Sequence, residues 1–285
     1  MELEEIKKEI ENQKQTVADG DEIVLLSELA KKEEKKRNER YKTGLEVFDR
    51  VFLEEGEPNG GLSGGEVLII AAPTGNGKTL LAATMAYNMM VNHGLFFLFF
   101  TFEVKVSSLY RIFQNMGASD DDIICVPLKH TTGKLNWIEK KIVEAKKRFM
   151  VKTIVIDHLG FLSPVQIMNS NMSQNYSTFL TQTVRELKLI AVKHDIIIIL
   201  PVHMNKTATE TPRMADIGNS SGIAQESDGV ILMARKESEK EYYSDISNIF
   251  LGKNRPGGNH PKWYMSKIDG KLKEINYEPP KNEYC

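Results

Sequence analysis

The chain has 285 residues, 41% hydrophobic and 27% charged, which is close to an ordinary globular protein and far from a disordered one. The 37 Lys and Arg against 39 Asp and Glu leave a formal net charge of −2, which excludes a strongly basic, histone-like binder. Nucleic acid stays open as a partner, because a few cations facing a shared channel act locally whatever the total.

Residues 1–15 are charged, acidic and amphipathic, unlike a secretory leader. A short apolar helix is predicted over 23–30 (IVLLSELA), and the mixed-charge run 31–40 (KKEEKKRNER) reads as a solvated helical linker. The apolar patch either packs on its own domain or reaches a neighbouring subunit. From residue 41 the texture changes. Apolar runs without alternation stand at 67–72 (VLIIAA), 95–102 (LFFLFFTF), 153–156 (TIVI), 196–200 (IIIIL) and 230–234 (VILMA). Such runs fit strands buried on both faces, as in a parallel sheet.

Helices are predicted between them at 80–92, 107–116, 135–150 and 178–194. Gly94 and Gly117 suit the C-caps of the first two, and residues 135, 138, 142, 145 and 149 line one face of the third. This alternation predicts an α/β domain with a mostly parallel central sheet flanked by helices. After 240, Gly and Pro (NRPGGNHP) interrupt strand-like pieces, which predicts a closing β-hairpin. The segment 169–175 (NSNMSQN), with Tyr176, lines a channel or forms a loose loop. No apolar run reaches the ~18 residues of a membrane span. Cys125 and Cys285 make neither a disulfide framework nor a zinc-spaced cluster. The expectation is a cytoplasmic protein with no membrane partner.

The sequence AAPTGNGKT at 71–79 lies between an apolar strand and a helix, the context of a phosphate-binding P-loop. Gly75 and Gly77 let backbone amides turn inward around phosphates, alongside Pro73, Thr74 and Asn76, and the helix presents its N-terminus to the negative charge. Lys78 is placed to reach the β- and γ-phosphates of ATP, and the Thr79 hydroxyl to hold Mg²⁺. Ala72 stands where the strict pattern has Gly. Asp157 ends the run TIVID, where a carboxylate holds Mg²⁺ beside a P-loop. Glu103 ends another run and can polarise an attacking water. His203 follows a third and can sense a γ-phosphate. Lys253 and Arg255, in GKNRPGG, are cations on a turn that can reach a neighbour's nucleotide.

In this order the pieces resemble the RecA-like ATPase domain of DnaB-type hexameric replicative helicases, over most of 41–270. The resemblance is carried by TGLEVFD at 43–49, GLSGGEVLIIAAPTGNGKT at 61–79, FFTFEV at 99–104 and TIVIDHLGFL at 153–162. It continues through VRELKLIAVKHDIIIILPVHMNK at 184–206, RMADIGNSSGIAQESDGVILMAR at 213–235 and GKNR at 252–255. It implies that Glu103 is the hydrolytic base and His203 the γ-phosphate sensor, a position where the family often has Gln and some phage and mitochondrial relatives have His. It also implies that Lys253 and Arg255 enter the adjacent subunit's site, Arg255 as arginine finger.

The fourth-motif loop of such enzymes touches the DNA backbone. Here Gly218 and Asn219 stand where bacterial enzymes typically have Arg and Glu, so phosphate contact falls to backbone amides, Ser220, or nearby Lys206 and Arg213. The resemblance implies a helical arm at 1–40, a RecA-like ATPase domain at 41–275 and a tail at 276–285. The amino-terminal domain of the bacterial enzymes has no counterpart in this sequence. The implied activity is an ATP- and Mg²⁺-dependent DNA helicase that forms a homo-oligomeric, hexameric ring, moves on single-stranded DNA during replication, and works with a primase or helicase loader. The alternatives are a strand-exchange recombinase, which would form an open filament, and a regulatory or loading ATPase without unwinding.

Overall fold

A computed structural model describes residues 25–27, 39–53, 57, 59–129, 135–162, 173–204, 211–217, 221–235 and 246–277. The chain divides into two units, Met1–Asn38 and Glu39–Cys285. Of the first, only 25–27 are described, with 26 and 27 helical. The rest of the predicted 23–30 helix and the charged run up to 38 lie outside the described residues, as do 169–172 and the tail from 278.

Among the described residues, the second unit is built on one sheet of nine strands. Six run parallel: β1 Val67–Ala72, β2 Phe97–Thr101, β3 Ile124–Cys125, β4 Thr153–Asp157, β5 Ile197–His203 and β6 Gly229–Arg235. The order across the sheet is β3-β2-β4-β5-β1-β6, with β7, β8 and β9 following. β1 therefore lies between β5 and β6, and the chain leaves it towards one side and later crosses to the other. That reversal opens a crevice at the carboxyl ends of the strands, the usual ligand position in open α/β sheets.

The apolar runs lack alternation because both faces are covered. Leu68 and Ile70 of β1 and Phe97 and Phe99 of β2 pack on Leu81 and Met85 of α2 (Lys78–His93) and Phe113 of α3 (Val106–Asn115). Their neighbours Ile69, Ala71 and Phe100 face the other way, onto Ile138 and Ile142 of α4 (Leu135–Phe149) and Val184 and Leu187 of α5 (Ser173–His194). Each of the larger side chains, fully buried, contributes roughly 1.5–3 kcal/mol. Helix α2 stops at Gly94, left-handed at φ 67°, whose amide donates to Met90 O. A short helix missing from the sequence reading, α1 Glu46–Val51, brings Phe48 into the core, where it stacks on Phe52.

The predicted closing hairpin is present and is extended by one more strand. Three antiparallel strands, β7 Ile246–Asn254, β8 Lys262–Ile268 and β9 Lys271–Ile275, continue the sheet from β6. They reach one core cluster through Ile249, Leu251, Trp263, Met265 and Leu272 and the other through Phe250, but the polar residues between these break up the apolar runs. NRPGGNHP closes the β7–β8 hairpin, as expected from its Gly and Pro.

Candidate functional site

The P-loop joins β1 to α2. Gly75 and Gly77 adopt φ +81° and +90°, a region L side chains rarely enter, which turns the loop back on the helix N-terminus. A Cβ on Gly77 would also stand 3.2 Å from the Met233 methyl, so the site needs glycine twice over. The Asn76 side chain braces the loop: its amide nitrogen donates to Thr74 O and its oxygen accepts the Arg235 amide at 2.6 Å. Pro73 is half-buried and Thr74 exposed at the rim.

Strand register assembles the rest. Thr101 pairs with Asp157 and Ala72 with His203, so the ends of β2, β4, β5 and β1 are level. Glu103, Asp157, His203 and the P-loop therefore share one crevice, although 129 positions separate Thr74 from His203. Lys78 is buried, with its ammonium 3.8 Å from Glu103 Oε2. Burial lowers its pKa, against the pull of Glu103 and Asp157.

The Thr79 hydroxyl donates to Asp157 Oδ2 at 2.8 Å. Asp157 is wholly buried, and its Oδ1 has no hydrogen-bond partner among the described residues. Burial, assisted by the Glu103 charge, raises its pKa to about 6, against the Thr79 hydrogen bond and Lys78. A desolvated carboxylate with an unpaired oxygen beside a hydroxyl fits a hard divalent cation, and Thr79 and Asp157 are the residues that would hold Mg²⁺.

His203 Nε2 lies 3.5 Å from Glu103 Oε2, and its Nδ1 lies 3.3 Å from the Thr74 hydroxyl. Burial and the nearby Lys78 lower its pKa, so the ring is neutral at pH 7. The sequence reading missed His158, which directly follows Asp157 and whose Nε2 stands 3.9 Å from the same Glu103 oxygen. Burial, with His203 and Lys78 adding to it, depresses its pKa to about 3. The signal was a second histidine at a strand end next to the metal-binding aspartate.

Lys253 and Arg255 are elsewhere. They sit where β7 meets the start of β6, at the opposite end of the parallel strands from the P-loop. The Lys253 ammonium donates to the carbonyls of Ala224, Gln225 and Ser227, closing the C-terminus of α6 (Ser221–Glu226). Arg255 is half-exposed, pairs with Asp228 and donates to Gln225 O. Asp228 was also missed; its Oδ2 accepts the Val67 amide and Lys188.

Arg213 is exposed at the start of a 3-10 turn, Met214–Asp216, tied to the end of β5 by a bridge between Met204 and Ile217. Lys206, Gly218, Asn219 and Ser220 lie outside the described residues, and so does the side chain of Tyr176. Among the described residues, no helix is long and apolar enough to cross a membrane.

A strand-end P-loop facing a strand-end aspartate and glutamate on a mostly parallel sheet defines a P-loop ATPase fold of the RecA type. The family model of the DnaB-like helicase C-terminal domain matches residues 114–262, just over half of the sequence, and the chain belongs to that family. The P-loop precedes the matched stretch. The "Probable plasmid replicative DNA helicase" of Chlamydia muridarum is 26% identical over 225 residues, covering 69% of this chain and 48% of that protein. The chain spans about half the length of the curated relatives it matches.

Two solved structures share the fold. One, an ATPase domain on its own, superposes with a TM-score of 0.71 at 19% identity, over 90% of this chain and 100% of that one. A DnaB-like replicative helicase studied with its primase gives 0.67 at 19% identity, over 96% of this chain and 72% of that one.

Proposed function

We propose that the protein is the motor of an ATP-dependent DNA helicase, which hydrolyses ATP between the subunits of a hexameric ring and translocates on single-stranded DNA during replication. Residues 41–275 are its motor domain and 1–40 an arm towards the next subunit. The observation that carries this is the split site: Lys78, Thr79, Glu103, Asp157 and His203 converge in one crevice, while Arg255 occupies the opposite end of the strands. A cation so placed serves a neighbour's nucleotide and not its own.

In this scheme Pro73 opens the P-loop, and the backbone amides of residues 74–79 with Lys78 hold the phosphates. Thr79 and Asp157 hold Mg²⁺, which when bound neutralises charge developing on the phosphate oxygens. Glu103 takes a proton from the attacking water, and His203 reports the γ-phosphate through Glu103 and Thr74. Arg255 of the adjoining subunit stabilises the transition state, worth about three to five powers of ten in rate. Lys253 supports the finger turn, and reaches the same nucleotide only by leaving the three carbonyls it now binds. Arg213, Lys206, Ser220 and the backbone amides at Gly218 and Asn219 contact the DNA phosphates, so binding is sequence-tolerant and salt-sensitive. The replication partners are a primase or a helicase loader, and the compartment is the cytoplasm.

The test is strand separation of a forked duplex with ATP and Mg²⁺, alongside images of the assembled particles. Unwinding by closed rings supports the proposal. Open filaments would favour a recombinase, and ATP hydrolysis without unwinding a loading or regulatory ATPase.

A further inference from the structure

Among the described residues, Glu103 has three nitrogen neighbours, and one of them, His158, has no part in the scheme above. Its ring is half-buried at the end of β4 and held from two sides. Nδ1 accepts the Gly160 amide at 3.0 Å, and the ring meets His203 edge-on with centroids 4.1 Å apart. A backbone amide only donates, so Nδ1 carries no proton and the hydrogen of the ring sits on Nε2. That N–H faces Glu103, 3.9 Å from Oε2, while Lys78 stands 3.8 Å from the same oxygen.

With no phosphate present, Coulomb attraction draws the Glu103 carboxylate towards Lys78. A base held there competes with the nucleotide for that ammonium. A neutral N–H donor offers the carboxylate a partner that no phosphate claims. We propose that His158 is a positioning residue for ATP hydrolysis: its Nε2–H takes over the Glu103 carboxylate when Lys78 engages the nucleotide, and keeps the base aimed at the attacking water. This rests on Glu103 being the base, as proposed above. In the step itself the water oxygen bonds to the γ-phosphorus, and the bond to the β–γ bridging oxygen breaks with its electron pair leaving on ADP. The water proton passes to Glu103, and His158 keeps its own proton throughout.

Glu103, His158 and His203 also bring ligand atoms within 4.8 Å of one another, a set suited to zinc. The Gly160 bond opposes this use. Ligation through Nε2 moves the ring proton to Nδ1, where it meets the Gly160 N–H.

The experiment measures kcat and KM for ATP with the whole chain, Mg²⁺ and saturating single-stranded DNA, plus the affinity for a non-hydrolysable ATP analogue. The variants are His158→Phe, His158→Gln and Glu103→Gln. The expected result for His158→Phe is a kcat lowered about 10- to 100-fold, the range for losing a group that orients a functional side chain, with KM and analogue affinity within about threefold. His158→Gln, which restores a side-chain N–H, recovers most of the loss.

Full activity in His158→Phe, or equal impairment of the Phe and Gln variants, overturns the proposal. So does a loss of analogue binding in both, since the ring would then only support the pocket. Wild-type turnover in Glu103→Gln overturns the base assignment, and His158 with it; an inactive Glu103→Gln beside an unimpaired His158→Phe overturns the His158 proposal alone. Inhibition by micromolar zinc that both His158 variants escape would reassign the trio as a metal site.

Discussion

Arg255 is ion-paired with Asp228 at 3.0 Å, and the other carboxylate oxygen of Asp228 accepts the amide of Val67, the first residue of the strand that ends in the P-loop. β1 thus carries the proposed finger at one end and the phosphate loop at the other. At ~3.3 Å per residue its length keeps Arg255 far beyond hydrogen-bond reach of its own chain's phosphates. In the proposed function, the complete catalytic site is shared between two copies.

Subunit complementation follows from that sharing. Lys78→Ala and Arg255→Ala are each expected to lower ATP turnover by at least about a thousandfold. A mixture of the two regains a measurable fraction, because some interfaces pair an intact Lys78 with an intact Arg255. Turnover of the mixture against each variant alone is the check; a mixture as inactive as its components would place both residues in one chain's site.

Removing the carboxylate at 228 leaves the buried Val67 amide without its acceptor and the part-buried Lys188 ammonium with Gly65 O in place of an ion pair. Asp228→Ala is expected to destabilise the protein by about 2–4 kcal/mol, mostly through those groups, since the pairing with half-exposed Arg255 is screened. Urea unfolding measures it, and a loss under about 0.5 kcal/mol would contradict the account.

The Asp157 pKa of about 6 lies above the ordinary carboxylate value of 3.8. A carboxyl whose folded pKa is raised binds its proton more tightly when folded, so its contribution is complete below about pH 4 and is lost as pH rises through 6. Without Mg²⁺ or nucleotide, this one group therefore costs roughly 3 kcal/mol between those limits. A divalent cation favours the ionised form, so added Mg²⁺ is expected to raise Tm more at pH 7 than at pH 5. Thermal melts at the two pH values test it, and an equal shift at both would count against Asp157 as the ligand.

The two P-loop glycines differ in what surrounds them. A Cβ at Gly75 meets nothing within 4 Å, whereas one at Gly77 presses on Met233. Both alanine variants carry the left-handed penalty of roughly 1–2 kcal/mol, and Gly77→Ala adds packing strain. Gly77→Ala is expected to be the less stable, and calorimetry of the two variants compares them directly.

The parallel core was legible because Val67–Ala72, Phe97–Thr101 and Thr153–Asp157 are covered on both faces and so have unbroken apolar runs. β7 to β9 were legible only as strand-like pieces, because buried Ile249, Met265 and Leu272 are interrupted by polar residues such as Asn248, Lys253, Lys262 and Ser266. Within the site, Lys78, Thr79 and Asp157 stood out through local pattern. His158 and Asp228 did not, since the importance of each comes from partners brought by strand pairing: Glu103 for the first, Val67 and Arg255 for the second. Local sequence marks where a carboxylate or histidine ends a strand; only register shows which of them meet.

In the proposed function, ATP turnover at the Lys78–Glu103–Asp157 crevice drives movement on DNA. This coupling is tested most directly by the ATP hydrolysis rate of the purified protein with and without single-stranded DNA, with Lys78→Ala as control. Strong stimulation by DNA that disappears in Lys78→Ala is the expected result. Robust hydrolysis indifferent to DNA, or DNA-stimulated hydrolysis that survives in Lys78→Ala, would contradict it.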